Sequence, residues 1–160
     1  MAHERKPIRI LVSDALGACH ETHILVNHVA CPPTLRSPTM QQSINLAEKL
    51  STFSEHYRPR TVGQFNGHDL MVVKVKGPFT WHKHDETDDF FLVLTGRLTI
   101  QLRDPVERSV VLNPGELFVV PRGIEHRPVA DEGEVQILLI EPTGTPNTGD
   151  RATAAPRVEI

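Results

Sequence analysis

The sequence predicts an all-β domain, an antiparallel sandwich or barrel introduced by one short helix. From Arg60 onward, short runs rich in β-branched and aromatic residues recur at fairly regular intervals, the pattern of such a fold. Gly96, Asp104-Pro105 and Asn113-Pro114-Gly115 punctuate those runs with turn residues. Asn66-Gly67 is the sharpest signal for a tight hairpin, because both residues tolerate the positive φ that such a turn demands.

The elements follow in chain order. Residues 1–39 mix Pro, Ser, Thr and His with one short apolar run at 8–12, which by length suits an isolated strand. They read as an N-terminal extension of uncertain order, ahead of a domain at 40–145. Asn45 precedes Leu46 and stands three residues before Glu48, as in a capping box, and Leu46, Leu50 and Phe53 follow at helical spacing. A short amphipathic helix near 46–51 is expected. Strands are expected over 70–75, 79–84, 90–94, 97–103, 109–112, 117–120 and 135–140. The run at 90–94 is apolar on both faces, so its outer side needs another sheet or a second subunit, and a homodimer would supply it. After Glu141 the chain turns to Pro, Thr, Gly and Asn, and residues 146–160 read as a loose tail.

Composition narrows the class. The 160 residues suit one domain with its own core. A net charge of −3 with interspersed signs offers no basic stripe for nucleic acid, and no apolar run reaches the ~18 residues of a membrane helix. The two cysteines, Cys19 and Cys31, make no disulfide framework, and no signal-peptide pattern precedes them, so a cytoplasmic location is expected.

The chemistry gathers around three histidines. His82 and His84 are two residues apart in a β-type run, so both side chains leave the same face. Asp88 and Asp89 offer carboxylates to opposite faces of the next strand, of which one looks inward. His126 lies beyond Pro121-Arg122-Gly123, where a turn can return its imidazole to the first pair. Three imidazoles and a carboxylate suit Zn, Fe, Ni, Mn or Cu, whereas Mg or Ca would prefer oxygen throughout.

These residues resemble the two motifs of the cupins. Gly77, His82, His84, Asp89 and Gly96 occupy the first motif, and Gly115, Pro121, Gly123 and His126 the second. The resemblance covers residues 60–141 and implies a double-stranded β-helix, or jelly-roll barrel, holding one divalent metal on His82, His84, Asp89 and His126. It is closest to small, single-domain bacterial cupins, sometimes labelled mannose-6-phosphate-isomerase-like, a label that describes shape more than activity. Counting back from Gly96 selects Asp89 over Asp88. The sequence departs from the pattern in three places. The first gap is one residue short, which a turn at Gly77-Pro78 absorbs. Asp89 stands for Glu, losing ~1.5 Å of reach, so it meets the ion directly, through water, or by orienting a histidine. Ala130 stands for an Asn that is not a metal ligand in the pattern.

Other features have ordinary readings. His3, His20, His23, His28, His56 and His68 read as surface or core residues, and Cys19, His20, His23, His28 and Cys31 lack the paired spacing of a zinc site. Phe79, Trp81 and Phe91 either line a pocket beside the metal or fill the core, the usual place of aromatics in short strands. Arg97, Gln101 and Arg103 alternate along a solvent-facing strand side. No second inward carboxylate or histidine emerges to act as a separate general base. The implied function is a metal-dependent enzyme of small molecules, of oxygenase or isomerase type. A non-catalytic small-ligand-binding or sensor cupin is the alternative.

Overall fold

Helix α1 (Leu46–Ser51) forms where its cap predicts it. Asn45 Oδ1 accepts from the amides of Ala47 at 3.0 Å and Glu48 at 3.3 Å, and its Nδ2 donates to Glu48 Oε1 at 3.3 Å. A cap of this kind is worth about 1 kcal/mol, which matters in a helix too short to stand alone. Packing does the rest: Leu50 is buried with Val62 and Val72, and Leu46, Phe53, Leu70, Leu94, Leu138 and Ile160 close around them.

The structure, a computed structural model, describes residues 42–160 in full and, before them, only the backbone of two strands, β1 (Arg9–Ser13) and β2 (Cys19–His23). The apolar run at 8–12 thus overlaps a strand that is paired rather than isolated, antiparallel with Ile10 opposite Thr22. The rest of the expectations for residues 1–41 lie outside the described residues.

Within 42–160 the strands are β3 (Arg60–Phe65), β4 (His68–Pro78), β5 (Asp89–Thr95), β6 (Leu98–Asp104), β7 (Val106–Leu112), β8 (Leu117–Val120), β9 (Glu125–Pro142) and β10 (Val158–Glu159). Asn66 and Gly67 turn β3 into β4 at φ 48° and 75°, the hairpin their sequence announces. The neighbours run β10-β3-β4-β9-β5-β8, and β6 joins β9 to β7. Strand β9 organises the fold: its first residues pair with β6, its last with both β4 and β5. Alternation then sends Met71, Val73 and Val75 of β4, Phe91 and Val93 of β5, and Val135, Ile137 and Leu139 of β9 into one barrel core.

The structure adds strands at 60–65, over 125–134 of β9 and at 158–159, and differs from the sequence reading in two further places. Residues 79–84 form no regular strand. Phe79 donates to the Pro128 carbonyl at 2.9 Å, but Pro128 has no N–H to return the bond, and the ladder lapses until His82. Gly77 and Pro78, expected as a turn, close β4 as paired residues opposite Ala130 and Val129, after a register shift between Val75 and Gly77.

Residues 143–160 carry no apolar period, and the structure holds them by other means. Asp69, fully buried, accepts from Gln64 Nε2 and Thr143 Oγ1, each at 3.0 Å, and pairs with the Arg157 guanidinium. Strand β10 adds to β3 in parallel with Val158 opposite Arg60, and the Ile160 amide donates to the Thr61 carbonyl at 3.0 Å. Among the described residues no helix is long and apolar enough to cross a membrane.

Candidate metal centre

Two backbone hydrogen bonds bring the histidine motifs together. The His82 amide donates to the His126 carbonyl at 3.0 Å and the His126 amide to the His82 carbonyl at 2.8 Å. This isolated bridge places their rings 4.3 Å apart. His84 follows two residues on, its ring 5.2 Å from that of His82. Asp89 opens β5 opposite Val120, and the alternation that buries Phe91 and Val93 carries its carboxylate inward. Asp88 faces out and accepts from the Arg122 amide at 2.9 Å. The ligand atoms of His82, His84, Asp89 and His126 all lie within 4.8 Å of one another.

The hydrogen bonds fix which nitrogens are free. Nδ1 of His82 lies 3.0 Å from the Thr80 carbonyl, and Nδ1 of His126 lies 3.0 Å from that of Ile124. A carbonyl only accepts, so Nδ1 carries the proton in both rings and Nε2 keeps its lone pair. That lone pair of His126 faces Asp89 Oδ2 at 3.0 Å. Two acceptors at this distance need a proton or a cation between them. Nε2 of His84 is buried with no hydrogen-bond partner among the described residues, 3.6 Å from the same oxygen.

The electrostatics agree with a cation site. Burial lowers His82 and His84 to about 4 and lowers His126 as well, so all three imidazoles are neutral near pH 7 and free to donate lone pairs. Burial also pushes Asp89 up to about 7. The cluster is a pocket of buried donors without a positive charge, and its donor set suits a divalent transition metal.

The structure also brings in a carboxyl that the sequence reading lacked. Glu141 is buried in the same cavity, and burial together with the neighbouring Asp89 pushes it up to about 9. The expectation of no second inward acid is therefore corrected. Its signal was present, since Glu141 shares the parity of Val135, Ile137 and Leu139 along β9.

Two spaces open beside the cluster. A small inner cavity of about 40 Å³ touches His82, Asp89, Phe91 and Glu141, and an outer chamber of about 450 Å³ is lined by Arg58, Trp81, Asn147, Thr148, Thr153 and Ala155 among others. Tyr57, Phe79, His82 and Asn147 border both. Of the three aromatics, Phe91 is core at the cavity wall, while Phe79 and Trp81 line the chamber. Arg103 lies 3.8 Å over the Trp81 ring and fixes it from outside. Of the other histidines, His56 meets Glu134 at 2.9 Å beside the chamber and His68 meets the Asn66 carbonyl at 3.0 Å. The side chains of the Cys19–Cys31 cluster lie outside the described residues.

Residues 69–141 match the Cupin_2 family, described as a cupin domain. A cupin-2 domain containing protein from Shewanella frigidimarina NCIMB 400 is 41% identical, with a TM-score of 0.58, over 62% of this chain and 93% of that one. The uncharacterized protein YdbB of Bacillus subtilis is 27% identical over 55% of this chain and 76% of its own length. A 3-hydroxyanthranilate 3,4-dioxygenase of Xanthomonas euvesicatoria is 31% identical over 88 residues, 54% of this chain and 49% of its own length. The chain thus spans about half of that dioxygenase.

Proposed function

This chain belongs to the cupin family, and from that premise we propose that it is a metal-dependent oxygenase of a small molecule, with His82, His84, Asp89 and His126 holding the ion. The observation that carries this reading is the buried three-histidine, one-carboxylate cluster whose ligand atoms lie within 4.8 Å and which opens, at His82, on a chamber of about 450 Å³. The likeness to a dioxygenase favours oxygenase over isomerase chemistry. A bound divalent ion would supply Lewis acidity and a place for O₂ and substrate to meet.

The chain's own residues do the remaining work. The Thr80 and Ile124 carbonyls lock two imidazoles in the tautomer that presents Nε2. Val73, Val75, Phe91, Ile137 and Leu139 keep the inner cavity apolar, which excludes water and strengthens the field of any charge there. Elemental analysis of protein purified without an affinity tag, followed by O₂ uptake with single-ring phenols, tests the proposal. Tight divalent metal with O₂ consumption is expected. Metal without O₂ consumption turns the reading to a binding or sensor cupin, and protein with no tightly held metal overturns it.

A second copy of the chain is proposed to cover the outer face of β5 and β8. Helix α1 and its cluster shelter Leu94, yet Leu117 and Val119, paired with Leu92 and Phe90, remain 56% and 40% exposed on an edge strand. Light scattering should give a dimer mass, and a monomer at micromolar concentration removes the proposal.

A further inference from the structure

The outer wall of the chamber comes from the C-terminal segment 143–160. It is built to stay in place. Asp150 caps a self-bonded turn, taking the Ala152 amide on its carboxylate at 2.9 Å and the Thr153 and Ala154 amides on its carbonyl at 3.2 and 3.0 Å. Asn147 Oδ1 accepts from the Ala155 amide at 2.8 Å, and the hydroxyls of Thr148 and Thr153 meet at 2.8 Å. Beyond this loop, the Arg157–Asp69 pair and β10 tie the segment to the barrel.

One contact sets how close the loop comes to the stretch that carries His82 and His84. Gly149, at φ 72°, lies so near the Lys83 carbonyl that a Cβ there would overlap the oxygen. Lys83 stands between His82 and His84, so the bare Cα of Gly149 lets the loop seat directly on the backbone between two of the histidines. Facing the loop, Tyr57 and Phe79 are stacked with centroids 4.7 Å apart and planes 18° from parallel. Tyr57 itself sits at φ 57°, a costly conformation for a bulky residue, held by its amide on the Lys74 carbonyl at 2.8 Å and its hydroxyl on that of Gly77. A fixed aromatic wall therefore faces a fixed polar one, and residues of both border the chamber together with His82.

We propose that the segment 143–160 is a rigid specificity wall, seated by Gly149 against Lys83, and that it admits flat single-ring molecules to the metal and turns away fused rings. The inference deepens the small-molecule metal reading above and rests on it. The chamber volume falls within the roughly 300–1,000 Å³ of small-molecule pockets. The space at Asp89 and Glu141 is only about 40 Å³, and the stacked aromatic pair, His82 and Asn147 border both it and the chamber.

The test uses the full chain loaded with cobalt(II), whose visible bands report ligands at the metal whatever the native ion. Azide, catechol and naphthalene-2,3-diol are titrated in turn. The wild type should respond to azide and catechol and bind the naphthalenediol at least about tenfold more weakly than catechol, a difference of ~1.4 kcal/mol. Gly149→Val, which pushes the loop off Lys83, should bind both diols alike with azide unchanged. The double variant Asp69→Asn/Arg157→Gln, which frees the segment without leaving a buried charge, should do the same. Gly144→Ala, in the same segment at φ 93° but with open space around its Cβ, should keep the wild-type preference. Equal binding of the two diols to the wild type, or an unchanged preference in both loosened proteins, overturns the wall. A wild type with no azide response overturns the metal reading itself, an outcome distinct from failure of the wall.

Discussion

The metal cluster faces two walls of different construction. One is barrel: β4, β5, β9 and the extended stretch through His82 and His84, held by ladder hydrogen bonds and a shared apolar core. The other is the segment 143–160, held by a buried ion pair, turn hydrogen bonds and a two-residue strand. The first wall places ligand atoms and the second shapes the space in front of them. On the proposed reading, binding chemistry and selection among ligands reside on separate parts of the chain, and each should break without the other.

The largest expected effect falls on the barrel wall. His126→Ala removes the one imidazole that the second motif contributes and should release most of the metal while the barrel stays folded, because the core strands pack without it. Metal content by elemental analysis and far-UV circular dichroism check both halves, and full stoichiometry in the variant would overturn the site assignment. Next comes the opposite break. Arg157→Ala strands the Asp69 carboxylate, fully buried, with only Gln64 and Thr143 for company. A loss of about 3 kcal/mol in urea unfolding is expected, since an orphaned buried charge costs this much, while metal content stays at the wild-type level. Loss of metal together with stability would show that the two walls are one.

A smaller effect sharpens the division within the barrel wall. Asp89→Ala should weaken metal binding by roughly 10- to 100-fold, less than His126→Ala, if the carboxylate supports or supplements three imidazoles. Competition with a chelator ranks the two. The smallest effect belongs to the chain ahead of both walls. A chain starting at Met40 should unfold within ~0.5 kcal/mol of the full-length protein, and insolubility or a drop of several kcal/mol would show that β1 and β2 support the barrel.

The same division explains what the sequence discloses. The barrel wall was legible because period-two alternation, turn residues and motif spacing all record burial: α1 starts at Asn45's cap, β8 spans 117–120, and Asp89 rather than Asp88 looks inward. The stretch 79–84 misled, since its residues favour strand but Pro128 opposite cannot complete the ladder. Glu141 was hidden by its charge, although its parity is that of a core position. The segment 143–160 carried no readable period because Asp69, Thr143, Arg157 and the Asp150 turn hold it through polar contacts. Such contacts join residues far apart in the chain and leave no local trace. Gly149 is the extreme case, its meaning set by Lys83, a residue 66 positions away in the chain.

The parallel pairing of β10 with β3 has a kinetic meaning. Arg60 and Val158 are the most distant partners in the described sheet, and a surface made of residues 60–61, 69 and 83 exists only after β3, β4 and β9 have found their register. Closing so long a loop costs entropy that only a formed barrel can offset. The outer wall is therefore expected to dock last, so that a newly collapsed molecule presents His82 and His84 openly before the chamber is closed. Stopped-flow refolding should show the Trp81 environment at the chamber settling after the far-UV signal, and simultaneous phases would show that the last strand belongs to the nucleus.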